Sequence, residues 1–415
     1  MRLIGQAPTH SLSAWQPPAG LKALAVPGKC RLTGQTGRKE WPDFRYFLLL
    51  FSVATCKMPY TPPAIKTNNQ FLVVAGFIVN GTDSTYITLS HSRNLVDTAP
   101  SPPELGAQIY VVGKLGETFQ LAELGQGIYG GGPFALDPGD QYQLKIITGS
   151  GGLYESDFVP VKNSPPIDSL HFRLDSTGAT IYVNTHDPTG NTQYYQWNYV
   201  QTWEHRSFYG SLNYYDFNIM SVSLRDSAQM VNRCWTTKAS NSILLANSSG
   251  LNEDLIYEAP LLTIPLGSEQ ISFEYSISVS QFALTSQGYQ FWSTLKANTE
   301  ETGGLFDPQP SQTSGNIHCI SNPSETVIGY VSAGGISHTR ILINPSQLSY
   351  WPYEPIQGCY LFSVPASQVS STFSDTTLYI PIETLLFGAV SGSYRYCGDC
   401  RAQGGGTAKP AYWPN

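Results

Sequence analysis

Five cysteines in the C-terminal half of the sequence are spaced in ways that suggest redox, metal or disulfide chemistry. Cys397 and Cys400 form a CxxC pair, which could be half of a zinc site or a redox motif. No second CxxC, HxxxH partner or βαβ pattern accompanies the pair, so structural bridging is favoured. The other three thiols are Cys234, Cys319 and Cys359. In an exported protein these five predict two disulfides and one free thiol, in a connectivity that spacing alone does not fix.

Carboxylates and histidines are the remaining candidates for catalysis. Two carboxylates could meet as a glycosidase pair, with Glu204 and either Asp216 or Glu258 as nominal candidates, but a sequence does not report their separation. Zinc-protease, nucleophile-elbow, P-loop and dinucleotide-binding motifs are absent, and no histidines after residue 56 stand at metal-ligand spacing. Residues 187–191 suggest a hairpin turn rather than a calcium loop, because the alternating carboxylates are missing. We therefore predict a protein that is not an enzyme and needs no metal or other cofactor.

The residues around Cys56 predict a different chemistry, the attachment of lipid. A basic flank ending at Arg45, an apolar segment over 46–53 and a small-residue approach precede this cysteine. The order resembles the bacterial signal in which a peptidase cuts before a cysteine that carries diacylglycerol. A short buried strand is the alternative, but the Pro-rich, polar residues that follow suit a tether better. We predict a leader and signal peptide over 1–55, acyl chains such as palmitate on Cys56, and a tether over 56–66.

The net charge of the mature chain argues against one class of partner. Residues 1–55 hold seven basic and two acidic side chains, which leaves 16 basic and 28 acidic groups and a net charge of −12. A chain this acidic is not expected to bind nucleic acid. The apolar run over 46–53 is about half of the roughly 20 residues that a membrane-spanning helix needs. We therefore expect the lipid to be the link to the membrane.

Apolar and polar residues alternate repeatedly along the mature chain, which indicates strands with one face on a core. The predicted strands cover 71–79, 85–90, 108–112, 141–147, 180–184, 256–264, 271–280 and 327–332. One helix is predicted over 286–300, capped by Thr285 or Ser286, with Tyr289, Trp292, Leu295 and Lys296 on one face. This pattern predicts an all-β fold with one short helix on the second of two domains.

The proline pair at Pro165 and Pro166 marks the predicted boundary between those domains. We predict an immunoglobulin-like β domain over 67–164 and a larger, sandwich-like β domain over 165–396. A tail over 397–415 is expected to be held by a disulfide and by Trp413.

Tyrosine and tryptophan are concentrated between residues 194 and 217. In a strand, Trp197, Tyr199 and Trp203 share one face, where aromatic rings can form a core or bind a sugar or protein partner. Core is favoured for the first two, and Trp203 is retained as a binding candidate. The segment 208–217 is less regular and more polar, which favours an exposed binding loop. The binding candidates from this loop are Tyr209, Tyr214 and Tyr215.

Several short motifs together resemble one protein family. They are SPPIDSL at 164–170, YYQW at 194–197, TWE at 202–204, RCWT at 233–236, FDPQP at 306–310, GNIHC at 315–319, IGYV at 328–331 and CGDCR at 397–401. In this order, over roughly residues 50–415, they are similar to the family called domain of unknown function 4249. That resemblance implies an outer-membrane lipoprotein associated with a TonB-dependent receptor, and it supplies no catalytic residues.

Two classes of function follow from these observations. The first is a lipid-anchored binding or accessory module of the outer membrane, which captures an unknown ligand for uptake by a TonB-dependent receptor. The alternative is a secreted carbohydrate-active hydrolase or a structural protein of the envelope. The resemblance favours the binding module.

Overall fold

The computed structural model of the protein describes residues 71–93, 99–300 and 315–414. The predicted leader, signal peptide and tether, with the lipid site Cys56, lie outside the described residues, as does the FDPQP motif. Within the described ranges the chain is mostly strand with a few short helices, which confirms the all-β prediction. No helix in these ranges is both long and apolar enough to cross a bilayer.

Strands dominate the described chain as far as residue 394. The first strands are β1 (Leu72–Val79), β2 (Thr85–His91), β3 (Gln108–Gly113), β4 (Thr118–Gly125), β5 (Ile128–Gly131), β6 (Gln141–Ile147), β7 (Leu153–Ser156) and β8 (Val159–Pro160). There follow β9 (Ile167–Leu174), β10 (Gly178–His186), β11 (Tyr194–Arg206), β12 (Asn213–Asp216), β13 (Ser221–Leu224), β14 (Arg233–Ala239), β15 (Leu244–Asn247), β16 (Leu255–Pro265), β17 (Tyr275–Ala283) and α1 (Ser286–Glu300). The last elements are β18 (Ile317–Cys319), β19 (Ala333–Gly334), β20 (Ile336–Ile343), β21 (Phe362–Val364), α2 (Val369–Phe373), β22 (Tyr379–Thr384), β23 (Val390–Tyr394) and α3 (Arg395–Gly398).

The first sheet is bonded in the order β18-β7-β6-β3-β4-β5-β2-β1-β19, with β8 also on β6. Buried and partly exposed residues alternate along its strands, as the sequence predicts. On β6, Tyr142, Leu144 and Ile146 are buried, while the residues between them are partly exposed. One continuous core lies against this face. The pairs are antiparallel except for β1 with β19, which is parallel.

Two strands from far along the chain complete this first sheet. β18 pairs with β7 and β19 pairs with β1, so residues 317–334 belong to the first sheet rather than to the second half, where their sequence position placed them. The reason is burial, because Ile317, Val327 and Val331 enter the first core.

The middle of the chain forms a sandwich of two sheets. One has the order β16-β10-β9, and the other has the order β14-β11-β17-β20 with β15 also on β11. Their inner faces share a core that includes Ile181, Trp197, Tyr199 and Ile277. Trp197 and Tyr199 are therefore core residues, as favoured from the sequence.

Most predicted strands match the observed ones to within two residues at each end, and two differ by more. β17 begins at Tyr275 rather than at 271, because Ser268 caps a short helical turn over Glu269–Ile271. The segment 327–332 forms no strand beyond an isolated bridge at Ile328. The main chain of Val331 is instead bonded in both directions to the side chain of Asn316, at 2.9 Å each.

The helix α1 has the predicted bounds but turns a different face inward. Thr285 caps it, since the Gly288 N–H donates to Thr285 Oγ1 at 3.1 Å. The buried residues are Gly288 and Phe291, not the predicted stripe that begins at Tyr289. Phe291 packs on Tyr330, with ring centroids 5.4 Å apart, so this contact decides which face is covered.

The C-terminal region adds a small sheet, β21-β23-β22, and the hairpin β12–β13 packs beside it. The two share a core that contains Tyr215, Val364 and Phe373. The Leu212 N–H donates to the Ile382 carbonyl at 2.8 Å, so the start of the hairpin lies along β22. This junction positions the candidate site.

Candidate ligand-binding cleft

Tyr379 on β22 and Tyr394 on β23 are register partners in the small sheet. Their rings therefore stack side by side, with centroids 5.6 Å apart. Phe362 packs on Tyr379 at 5.3 Å, Tyr360 on Tyr394 at 5.5 Å, and Tyr396 on Tyr394 at 5.6 Å. Tyr360 and Tyr396 are 52% and 38% exposed, which opens both to ligand. We call these five residues the aromatic row.

A cleft of about 270 Å³ opens beside the aromatic row, between the hairpin β12–β13, β22 and α3. Tyr379 belongs to both. The charged side chains of the lining are Arg225, Arg395, Arg401 and Asp399. The other lining residues are Tyr214, Tyr215, Thr376, Ile380 and Pro381. Because three guanidinium groups face one carboxylate, the lining carries an excess of positive charge, and we call it the cationic cleft.

Asp399 is neutralised inside the cationic cleft. Its two carboxylate oxygens accept from Nε and Nη2 of Arg401, both at 2.8 Å, in a forked pair. Burial alone would raise the pKa of Asp399, but hydrogen bonds and charge from Arg401, with the charge of Arg395, outweigh burial and hold that pKa below its ordinary value. The pair therefore stays charged, and Arg395 shares the same carboxylate through a longer contact of 3.4 Å.

Arg225 has a different environment. Its Nε donates to the Asn213 carbonyl at 3.0 Å, and its Nη1 donates to the Gln229 carbonyl at 3.2 Å. Burial, and then the positive charge of Arg401, lowers the pKa of Arg225, although arginine remains protonated at neutral pH. Among the described residues, no carboxylate forms an ion pair with Arg225. Its charge is therefore fixed in place by neutral acceptors and available to an anion.

The disulfides hold this region together. Cys234 is bonded to Cys400 and Cys359 to Cys397, while Cys319 is a buried free thiol, which agrees with the count expected from the sequence. The two cysteines of the CxxC motif bond to distant partners rather than to each other. Cys397 is the third residue of α3 and Cys400 lies two residues after its end, so both bridges anchor the segment between Arg395 and Arg401.

The binding candidates predicted from the sequence fall in different places. Tyr214 and Tyr215 line the cationic cleft, the second with only 6% of its surface exposed. Tyr209 is half-buried, and its hydroxyl donates to the Cys359 carbonyl at 3.3 Å, so it supports the region. Trp203 is not available to a ligand, because it is 7% exposed and lies in the sandwich core.

Glu204, one of the nominal catalytic carboxylates, anchors the C-terminal tail, which we define as residues 404–414. It is 1% exposed, its Oε1 accepts from Arg206 Nε at 2.7 Å, and its Oε2 accepts from Arg233 Nη2 at 2.7 Å and from Trp413 Nε1 at 3.2 Å. Burial alone would raise the pKa of Glu204, but hydrogen bonds from Arg233 and Arg206 outweigh burial and lower it. Both oxygens are thus engaged.

The other nominal carboxylates are also engaged. Asp216 accepts from the Asn218 N–H at 2.8 Å in the turn after β12, and Glu258 on β16 pairs with Arg173 on β9. The three carboxylates lie on different elements, each with its own partners. No proton-transfer pair is formed from the residues nominated by the sequence.

The segment at Asp187 is a turn, but it joins β10 of one sandwich sheet to β11 of the other, so the predicted hairpin is wrong. The Asp187 carboxylate accepts from the N–H groups of Thr189 and Thr192, both at 2.9 Å, which closes the turn. Across the part of the chain that the structure describes, no three His, Cys, Asp or Glu side chains converge as metal ligands.

The aromatic row was missed at the level of sequence. A weak signal was available in SYRY at 393–396, where Tyr394 and Tyr396 alternate with Arg395. Tyr379 joins them by pairing with Tyr394, and Tyr360 lies two residues before β21. No spacing along the chain reports that pairing.

Comparison with solved structures finds fibronectin-like segments of low similarity. A two-domain fibronectin type-III segment of chicken tenascin is 12% identical, covers 52% of this chain and 93% of its own length, and has a TM-score of 0.15. The FN1–FN3 domains of chicken CNTN1 are 16% identical, cover 52% of this chain and 63% of their own length, and have a TM-score of 0.17. At these TM-scores the likenesses carry no argument, and the fold rests on the sheets described above.

The sequence itself gives a stronger match. No curated protein matches the chain. The profile of the family described as domain of unknown function (DUF4249) matches residues 57–340, more than half of the chain, and this range contains most of the motifs that carry the resemblance. The chain belongs to the DUF4249 family.

Proposed function

We propose that this protein is a lipid-anchored binding module of the outer membrane, which captures a ligand in the cationic cleft and passes it to a TonB-dependent receptor. The observation that carries the proposal is the cleft itself. Arg225 and Arg395 converge there beside the stacked rings of Tyr379 and Tyr394. Fixed cationic groups next to flat aromatic surface are features of recognition sites.

Binding is favoured over hydrolysis by the state of the carboxylates. Hydrolysis of a glycosidic bond needs two carboxyl groups, one of which holds a proton to donate. The one carboxylate in the cleft, Asp399, is locked by Arg401 with a lowered pKa. Glu204 has both oxygens bonded as well. Neither group is poised to donate a proton at neutral pH.

Membrane attachment is supported by the sequence around Cys56. The basic flank, apolar segment and cysteine are those of a lipoprotein signal, and two or three acyl chains give durable anchoring. We expect intact mass and lipid labelling to show acyl groups on Cys56, and Cys56→Ala to release the protein from the membrane fraction. A mature protein that keeps residues before Cys56 would contradict the anchor.

A second surface supports docking to the receptor. The turn after β12 exposes Phe217, Ile219 and Met220, each by more than half, and the turn after β22 exposes Leu386 by 82% and Phe387 by 100%. β12 and β22 lie side by side and run in the same direction, because their Leu212–Ile382 and Asn213–Thr384 bonds follow the same order. Both turns therefore leave the sheet at one end, and we call them the apolar tips.

The experiment is co-purification of the tagged full-length protein from outer membranes in mild detergent. We expect a TonB-dependent receptor, identified by mass spectrometry, to be retained. Phe387→Gly removes the most exposed ring without harm to folding, because Phe387 has φ +59°, which glycine adopts freely. This variant should lose most of the receptor.

Leu115→Gly is the matched control, since Leu115 is 77% exposed in a turn of the first sheet, far along the chain from the apolar tips. It should retain the receptor. Absence of the receptor from the wild-type sample, or equal retention by both variants, would overturn the proposal for this surface.

A further inference from the structure

We infer that the ligand of the cleft is an acidic saccharide, whose anionic group lies among the arginines and whose sugar rings lie on the aromatic row. The inference specifies the chemical class of the ligand, and it rests on the proposed function because it concerns the same site. It is carried by the charge of the cationic cleft, the shape of the aromatic row and the way in which the neighbouring sheet edge is covered.

The positive charge of the cationic cleft favours an anionic ligand. Arg401 and Arg395 share the single carboxylate of Asp399, at 2.8 and 3.4 Å, whereas Arg225 forms no ion pair with a carboxylate among the described residues. The cleft thus concentrates unmatched positive charge on a mature chain whose net charge is −12. Guanidinium groups bind carboxylates and similar planar anions through paired hydrogen bonds. An anionic ligand group is the complement of this lining.

The aromatic row favours a ligand with flat rings whose edges carry polar groups. Four of its five members are tyrosines, and the Tyr360 hydroxyl donates to that of Tyr394 at 3.0 Å, so hydroxyls lie at the rim of the stack. A pyranose offers an apolar face to stack on such rings and hydroxyls to bond at the rim. Tyr379 lines the cleft and belongs to the row, so one ligand can engage both surfaces.

An acidic peptide is the competing ligand, and the sheet disfavours it. Extended peptides gain affinity by adding a strand to an open sheet edge. In this small sheet the edge of β22 is covered, because the Leu212 N–H donates to the Ile382 carbonyl. The opposite edge is β21, which has only three residues. Recognition must therefore come from side chains, which suits a saccharide better.

The test is calorimetric titration of the mature, delipidated protein with defined oligomers. Tetramers of galacturonate, mannuronate and hyaluronan are the acidic probes, the methyl ester of tetragalacturonate is the neutral control, and hexaglutamate is the peptide control. We expect at least one acidic tetramer to bind, and its neutral counterpart to bind about tenfold more weakly.

Two variants locate the binding. Arg395→Gln should weaken the acidic tetramer about tenfold, and Tyr396→Ala should weaken it about threefold to tenfold. The controls are Lys114→Gln and Tyr257→Ala, which remove an exposed charge and an exposed ring elsewhere and should leave affinity unchanged. Far-ultraviolet circular dichroism confirms that each variant is folded.

The outcomes separate the inference from the proposed function. Binding by none of the acidic tetramers, equal binding of the neutral ester, or tighter binding of hexaglutamate would each overturn the saccharide inference. The receptor can still co-purify in those cases, and the proposed function then stands. Conversely, if an acidic tetramer binds at Arg395 and Tyr396 but no receptor co-purifies, the saccharide inference is supported and the proposed receptor partner is contradicted.

Discussion

The indole of Trp413 donates to the Glu204 carboxylate at 3.2 Å across 209 residues of sequence. This bond closes a polar cluster with Arg206 and Arg233 beneath the C-terminal tail. The same tail supplies Tyr412, whose hydroxyl donates to Thr202 at 2.9 Å. The last residues of the chain thus cover the face of β11 that points away from the sandwich core.

Glu204→Gln should destabilise the protein by about 2–3 kcal/mol, because the amide keeps the shape but leaves two guanidinium groups without a countercharge. Urea unfolding measures the change. Glu253→Gln is the control, since Glu253 is exposed and makes no side-chain bond to the described residues. A loss below 0.5 kcal/mol for Glu204→Gln would contradict the anchoring role, with about 0.5 kcal/mol the usual range for surface changes.

The stabilisation that Glu204 provides should decrease as the pH falls into the acid range. The folded-state pKa of Glu204 is lowered from an ordinary value of 4.5. Its stabilisation is therefore fully present above pH 4.5 and is lost as the pH falls through the folded-state pKa. The difference in unfolding free energy between wild type and Glu204→Gln should be constant near neutral pH and shrink in acid. A difference that grows in acid would contradict the ion pairs.

Gly405→Ala should loosen the C-terminal tail. A β-carbon at Gly405 would clash with His205 Nε2 and lie 3.0 Å from the Cys234 β-carbon, and His205 is buried. Overpacking of this kind costs about 1–3 kcal/mol. Gly406→Ala is the adjacent control, because a β-carbon there meets nothing within 4 Å. Thermal unfolding should distinguish the two, and equal effects would show that the tail is not closely packed.

Loss of the Cys359–Cys397 disulfide should lower the unfolding free energy by about 3–4 kcal/mol, since the bridge closes a loop with a sequence separation of 38. The paired substitution Cys359→Ser and Cys397→Ser tests this by urea unfolding. Cys319→Ala removes the unbridged thiol and should cost clearly less. The paired variant should also weaken ligand binding, because Cys397 lies in α3 next to the cleft arginines. A paired variant as stable as wild type would contradict the prediction.

Much of the fold follows from local sequence patterns. The strand over 141–147 and the helix over 286–300 have the predicted bounds, because alternation and capping act within a few residues. Strand pairing between distant segments is not encoded this way. The return of 317–334 to the first sheet depends on which core Ile317 and Val331 enter, and both cores accept such side chains.

For the candidate site, too, local sequence patterns were informative and contacts between distant segments were not predictable. Tyr214 and Tyr215 line the cleft, but they lie on the strand β12 rather than in an exposed loop, and Tyr215 is buried in a core. Trp203 was misjudged because it continues the core face of Trp197 and Tyr199 into the sandwich. The opposite face of β11 is covered by the C-terminal tail, and a contact more than 200 residues away leaves no trace in the strand's own pattern.

The return of β18 and β19 to the first sheet also sets an order of events during synthesis of the chain. The chain emerges with its N-terminus first, so β1 and β7 are made long before the strands that pair with them. Until residue 334 has emerged, both edges of the first sheet expose unpaired N–H and C=O groups, which are sites of aggregation. The first sheet can therefore pair wrongly with other chains until most of the protein has been made.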